Sequence, residues 1–327
     1  MYTSSASSVT PGGWLVGGLS RVTAAALAVA LVGVGLLLGG PPAAAHAELS
    51  ARSAPRIAGV PLVVGTFNES VGGTAALPDK TSRLALVAGE IRRGNFDVIG
   101  VQEINMSRRQ AVQRFLAPTY FHSLVGNARD KNPTGQTIFF KPSTVTPGDI
   151  QGIIPLPGPG RRVALYQDFT QIGTGFRFLF VSTHLTVGMG RAASDQRTTE
   201  TVALLNAVAS LNAAGLPTVY AGDMNSSRGS TYVYDAPRRV FTSRGIPDTL
   251  ATAKTVRNAN YNSFNKLQKK PATGGFSPDQ VYATNGIRVL AWEQMIRVTR
   301  AGPRRQVMYR TPFVSDHNPI KVVIALQ

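Results

Sequence analysis

The chain of 327 residues carries 34 Lys+Arg against 17 Asp+Glu, a net charge of +17, with 43% hydrophobic residues, 33 Gly and 21 Pro. That is the composition of a soluble globular protein with length to spare for a core, and the charge favours polyanions or anionic surfaces as partners. The absence of cysteine excludes disulfides, thiolate metal sites and a cysteine nucleophile.

In chain order, residues 1–47 differ from the rest. Arg21 precedes TAAALAVALVGVGLLLGG (23–40), which carries no charge, and a small-x-small ending follows at Ala45-His46-Ala47. This is the pattern of a secretory signal. At 18 residues the apolar run also suits an N-terminal membrane anchor. Either form predicts a secreted or extracytoplasmic protein. Loss of 1–47 would leave 33 basic against 17 acidic side chains, a net of +16. Residues 48–60, ELSARSAPRIAGV, read as a linker, and 61–327 as one domain without internal repeats.

Pro61 to Phe67 reads as a buried strand. Lys80 to Arg93 carries Leu84, Val87, Ala88 and Ile91 at helical spacing. Phe96 to Gln102 is a strand again, and Ser107 to Leu116 a short helix. Thr137 to Lys141, Val163 to Phe169 and Phe176 to Thr183 read as strands. Gly190 to Ala214 predicts one long helix with Val202, Leu205, Val208 and Leu211 on its apolar face. Thr218 to Ala221 is a strand, and 225–278 a polar, turn-rich stretch of loops and short helices. Gln280 to Thr284, Val289 to Trp292, Met295 to Thr299 and Ile320 to Leu326 complete the strands. Adjacent strands mixed with helices predict an α/β layered fold with two sheets.

Polar residues that could carry chemistry cluster at the ends of these strands. They are Asn68, Glu103, His184, Asp223 with Asn225, Asp279, and Asp316-His317. Strand ends are where loops of α/β proteins converge on a crevice. Singly, each has a plain structural account: Asp-x-Asn as a turn or cap, Glu103 as a solvated loop acid, His184 as a hydrogen-bonded structural histidine, Asp316-His317 as a turn fixed by Pro319. Together they make an inventory for phosphate-ester hydrolysis. Hard carboxylates suit Mg²⁺ or Mn²⁺, histidines move protons or stabilise charge, and an acid can hold an imidazole in its useful tautomer.

GTFN (65–68), VQEI (101–104), STHL (182–185), GDMN (222–225) and SDHNPI (315–320) resemble, in that order, the motifs of the endonuclease/exonuclease/phosphatase superfamily. That group includes deoxyribonucleases, abasic-site endonucleases, inositol polyphosphate phosphatases and neutral sphingomyelinases. The resemblance spans about residues 60–327. It implies a four-layer α/β sandwich, two mixed β-sheets packed face to face with helices outside, and phosphoesterase chemistry dependent on Mg²⁺ or Mn²⁺. It further implies Glu103 as principal metal ligand with Asn68 and Asp316 beside it, and Asp223 and Asn225 as the pair that orients the attacking water. His317 would act on the scissile phosphate with support from Asp279, and His184 would stabilise the transition state or protonate the leaving group. The chain departs from the pattern in two places. Pro278 stands where a bulky aliphatic residue usually precedes the supporting acid. The acid that deoxyribonucleases place opposite His184 is missing from TGQTIFFK (134–141), where Gln136 is the nearest polar residue.

Basic doublets, Arg92-Arg93, Arg108-Arg109, Arg161-Arg162, Arg238-Arg239, Lys269-Lys270 and Arg304-Arg305, are scattered along the chain, and phosphate neutralisation by such groups strengthens polyanion binding. RNANYNSFNKLQKK (257–270) reads as an ordinary loop, with base stacking and phosphate contact as its functional alternative. His46, His122, GGLSR (17–21) and GPGRR (158–162) are assigned no chemistry. The expected protein is a monomeric phosphodiesterase with nucleic acid as substrate. A phospholipid or inositol phosphate hydrolase is the alternative, and a non-catalytic polyanion binder on the same fold a third.

Overall fold

Strands of alternating or wholly apolar sequence dominate the chain. The computed structural model describes residues 59–71, 77, 81–125, 135–228, 235–303 and 305–327. Residues 1–47, where an export signal or anchor is expected, including His46, and nearly all of the linker lie outside the described residues. Among the described residues, no helix is long and apolar enough to cross a membrane.

The first half contains β1 (Pro61–Asn68), α1 (Thr81–Gly94), β2 (Val98–Gln102), α2 (Met106–Leu116), β3 (Phe121–His122), β4 (Gln136–Phe140) and β5 (Val145–Pro155). Then follow β6 (Val163–Gln171), β7 (Arg177–His184), α3 (Arg191–Leu211), β8 (Thr218–Asp223), α4 (Ala236–Ser243), α5 (Thr249–Thr252) and β9 (Thr255–Arg257). The chain finishes with β10 (Asp279–Ala283), β11 (Ile287–Gln294), β12 (Val298–Ala301), β13 (Gln306–Tyr309) and β14 (Ile320–Leu326). One sheet runs β3-β4-β2-β1-β14-β11-β9 and the other β10-β8-β7-β6-β5, with β12 and β13 a separate hairpin. Both large sheets are mixed: β1 is parallel to β2 and antiparallel to β14, while β8 is parallel to β7 and antiparallel to β10.

Alternation along the strands sorts side chains between two faces. In β1, Leu62 and Val64 enter the core between the sheets; in β7, Phe178 and Phe180 do so from the other side. Phe67, Ile99 and Val101 face outward, onto Leu84, Val87 and Ile91 of α1 and Val112 of α2. Leu179, Val181 and Tyr220 face Leu204, Leu205 and Val208 of α3 and Phe241 of α4. The layers are therefore helix, sheet, sheet, helix, which is the expected four-layer sandwich.

The expected elements differ from the observed ones in instructive places. The strands β3, β5, β9 and β13 carry no strong sequence signal; β5 contains Pro147 and two glycines and is irregular in register between Pro147 and Gln151. The expected strand Met295–Thr299 is a buried loop residue, Met295, followed by β12. In α3 the buried face includes Leu204, Leu205 and Val208, but its N-terminal half buries Ser194, Arg197, Glu200 and Thr201 instead of an apolar stripe. These polar residues hold the loop that leaves His184, as described below.

Two glycines in the motif strands permit close approach. A Cβ at Gly65 would stand 2.2 Å from the Ile320 carbonyl oxygen, and one at Gly222 would stand 2.0 Å from the Thr183 carbonyl oxygen.

Candidate active site

The topology brings one end of each motif strand to a common edge. Asn68, His184 and Asp223 end β1, β7 and β8, Glu103 follows β2, Asp279 begins β10, and His317 lies just before β14. Strand pairing sets Asp223 opposite both His184 and Asp279. Side-chain contacts then join the two sheets: Asn68 Nδ2 donates to Asp223 Oδ2 at 2.9 Å and to Glu103 Oε1 at 3.0 Å. The sequence-expected residues Asn68, Glu103, His184, Asp223, Asn225, Asp279, Asp316 and His317 therefore all converge.

Asp223 is the hub. Its Oδ1 accepts from the Asn225 backbone N–H at 2.8 Å, closing an Asx turn that holds Asn225 at φ +46°. Its Oδ2 lies 3.6 Å from His184 Nε2 and 3.9 Å from His317 Nε2. Burial works to raise its pKa, but both imidazoles and the N–H groups of Asn68 and Asn225 hold it below the usual carboxylate value. The Asn225 side chain donates to the Leu185 carbonyl at 3.0 Å, tying the Asp-x-Asn turn to the exit of β7.

His317 Nδ1 meets Asp279 Oδ2 at 2.8 Å, and both side chains are buried. Burial alone would lower the imidazole pKa, yet the charges of Asp279, Asp223 and Asp316 push it up to about 10. Pro278 does not disturb this pair. A proline at the start of a strand has no N–H to lose from the ladder, and its carbonyl accepts from Met224 N at 2.8 Å. His184 is the opposite case: burial holds it below its usual pKa against the pull of Asp223. Asp223 is thus the carboxylate beside His184. Gln136 instead donates to the Val163 carbonyl and sits 3.5 Å from Ser182 Oγ, within a polar seam between the sheets made by Thr66, Gln102 and Ser182.

Glu103 and Asp316 form a separate, partly exposed acidic edge. Glu103 is held at φ +60°, with Oε2 accepting from Val71 N at 2.9 Å, and α2 starts three residues later under an Asn105 side-chain cap. A non-glycine residue in the left-handed region stores strain of the kind found at functional sites. Burial pushes the Asp316 carboxyl up, and Glu103 adds to that against the pull of His317. A pair of mutually repelling, partly exposed carboxylates is a donor set that fits a hard divalent cation. Asp223, Asp279 and His317 also present atoms within 4.8 Å of one another. There, however, the Nδ1 of His317 is spent on Asp279, so the Glu103–Asp316 edge is the better fit for an oxygen-seeking ion.

Sequence reading passed over the residues that position this edge. Ser315 Oγ donates to the Asn68 carbonyl at 2.7 Å and accepts from His317 N at 3.0 Å, so one hydroxyl joins both halves of the site. Glu69, fully buried, lies 3.1 Å from Arg83 and 2.6 Å from Arg108. Arg83 also donates to the carbonyls of Glu69, Ser70 and Val314, clamping the exit of β1 to the loop that carries Asp316. The sequence signal was an acid directly after the GTFN motif with paired arginines downstream, and only the fold joins them. Glu69→Ala would strand two buried guanidiniums, and is expected to lower stability by about 3–5 kcal/mol. Urea unfolding of the variant beside wild type measures this, with a shifted midpoint at unchanged slope as the expected result.

His122, by contrast, lies on the short edge strand β3, with Nδ1 3.0 Å from the Ser123 carbonyl.

Comparison with known proteins accords with this geometry. A family model described as the endonuclease/exonuclease/phosphatase family matches residues 65–317. The sequence matches no curated protein. Among solved structures, an endonuclease/exonuclease/phosphatase family protein from Bacteroides thetaiotaomicron superposes with TM-score 0.64 at 20% identity, over 82% of this chain and 98% of the other. A mannosyl-6-phosphatase from the same organism gives TM-score 0.64 at 19% identity, over 80% and 99%. TDP2 of D. rerio, complexed with single strand DNA product, gives TM-score 0.57 at 14% identity, over 81% and 99%. At such identities the likeness is one of fold. The family match is one of sequence, and it runs from the glycine that opens the first motif to the histidine of the last: the chain belongs to the endonuclease/exonuclease/phosphatase family, whose members are phosphoester hydrolases.

Proposed function

We propose that the protein is an exported phosphodiesterase, dependent on Mg²⁺ or Mn²⁺, that cleaves nucleic acid. The observation that carries this reading is the arrangement around Asp223: a partly exposed acidic edge of Glu103 and Asp316 on one side, and the buried His317–Asp279 pair on the other. When bound, the ion would neutralise charge developing on the phosphate oxygens. Glu103 and Asp316 would hold it, with Asn68 beside them. Asp223 and Asn225 orient the attacking water, and Asp223, kept ionised, accepts a hydrogen bond from it. His317, kept cationic by Asp279, faces the non-bridging oxygen of the scissile phosphate. His184, kept neutral by burial, offers its ring N–H to the leaving oxygen.

The net charge of +17 favours a polyanionic substrate. Among fold neighbours, TDP2 was solved with a single strand DNA product and another is named a mannosyl-6-phosphatase, so phosphate chemistry is common to both. Export rests on the signal-like pattern of residues 1–47.

The test is a substrate panel. Purified protein is incubated with plasmid, single-stranded DNA and RNA, with Mg²⁺ or EDTA. Metal-dependent cleavage of at least one is the expected result. Inert nucleic acid with release of phosphocholine or inorganic phosphate from lipid or inositol phosphate substrates would select the lipid or inositol phosphate reading. Salt-sensitive binding without turnover, indifferent to His317→Ala, would mark a non-catalytic binder.

A further inference from the structure

Most basic side chains around the site are committed. Arg83 and Arg108 are paired with Glu69, and buried Arg197 gives Nη1 to the carbonyls of Thr186 and Gly188. Arg162 is different. It is partly exposed, sits at the end of the β5–β6 connection, and its guanidinium meets no carboxylate among the described residues. The connection is built to hold it. Gln196 of α3 donates to the Pro157 carbonyl, the Arg162 carbonyl accepts from Leu156 N at 2.8 Å, and Arg161 is held at φ +46°. A left-handed arginine is a strained conformation that persists only where its surroundings fix it.

The residue stands at the end of the sheet where the site lies, because Ala164 of β6 pairs with Thr183 of β7, next to His184. A Cβ on Gly160 would stand 3.6 Å from Arg162 Cγ and 3.7 Å from Thr186 Oγ1, so the arginine stem runs beside the segment that leaves β7, two residues beyond His184. From there its charge acts on the His184 imidazole. The site itself concentrates the carboxylates of Glu103, Asp223, Asp279 and Asp316, a field that repels a polyanion along its length. A guanidinium at the mouth offsets that repulsion where the chain enters, and its planar fork matches two phosphate oxygens.

We propose that Arg162 is a substrate-binding residue that takes a second phosphate, adjacent to the scissile one on its His184 side, so that the enzyme selects phosphodiester chains over substrates with a single phosphate. This rests on the nuclease reading above.

The experiment compares wild type, Arg162→Gln, Arg162→Lys and, as a control at the opposite end of the sheet beside Thr284, Arg244→Gln. Each is assayed with a single-stranded oligonucleotide and with bis(p-nitrophenyl) phosphate, which has one phosphate, across a range of salt. Arg162→Gln is expected to raise KM for the oligonucleotide roughly tenfold or more, with kcat little changed. The slope of log KM against log salt should fall by roughly 0.7, the loss of one phosphate contact on a single strand. Arg162→Lys should keep the slope and recover part of the KM, and the one-phosphate substrate should be unaffected. Wild-type cleavage with an unchanged KM and salt slope in Arg162→Gln would overturn the assignment while leaving the nuclease reading intact. An equal loss on bis(p-nitrophenyl) phosphate would also overturn it, by moving Arg162 to the scissile phosphate. A wild-type protein inert on the oligonucleotide would sink the nuclease reading, and this one with it.

Discussion

His317→Ala should lower kcat by about 10²–10³-fold, the range that loss of one preorganised electrostatic stabiliser costs, with the folded state retained. His317 stands between Asp279 and Asp223, and Phe264 packs against its ring with centroids 5.0 Å apart; truncation leaves a small space and a buried Asp279 carboxyl, which burial favours in its neutral, protonated form once the imidazolium is gone. Circular dichroism and a thermal melt would separate lost chemistry from lost fold. Asp279→Asn is the companion variant. Burial would by itself lower the His317 pKa, and it is the charges of Asp279, Asp223 and Asp316 that push it up to about 10. Removing the charge at Asp279 lowers that value, so the imidazolium is lost at a lower pH. The alkaline limb of the pH–rate profile should therefore move to lower pH in Asp279→Asn, while the acid limb stays in place. Wild-type kcat in both variants would show that the His317–Asp279 pair has no part in the reaction.

Glu103→Gln should have an effect of similar size through a different route. The amide keeps the shape of the side chain and can keep the contact to Val71 N, but it removes one of two charges at the acidic edge. Loss of one electrostatic stabiliser costs about 10²–10³-fold in kcat, and here the half-saturating Mg²⁺ concentration should rise with it. Titration of activity with Mg²⁺ after EDTA treatment reads both effects. If Glu103→Gln were to titrate as wild type does, the ion would be held elsewhere, with Asp223, Asp279 and His317 the next set to test.

What the sequence disclosed depended on how each element earns its stability. FLFVSTH, TVYAGD and IKVVIAL are legible because strands in the middle of a sheet bury both faces and read as unbroken apolar runs. The strand VTPGDIQGIIP is not, because it lies at the sheet edge, half exposed, with Pro147 and Gly148 inside it. In α3 the apolar face is legible only from Leu204 onward. Its first half is buried for polar reasons: Arg197 holds the carbonyls of Thr186 and Gly188, and Glu200 accepts from Thr186 N. The site residues were visible as polar breaks after apolar strands, once five short motifs were read in order. The residues that hold them were not visible. Ser315 reaches the Asn68 carbonyl across 247 positions and Arg83 the Val314 carbonyl across 231, contacts that leave no periodic trace.

The strand that carries His317 into place comes last in chain order, yet β14 lies in the interior of its sheet, between β1 and β11. A chain interrupted before Ser315 would present two unpaired ladders where one strand belongs, and would lack the segment that supplies Asp316 and His317. Closing this sheet and completing the site are therefore coupled: the strand that fills the gap between β1 and β11 is the one that the Asp316–His317 turn leads into.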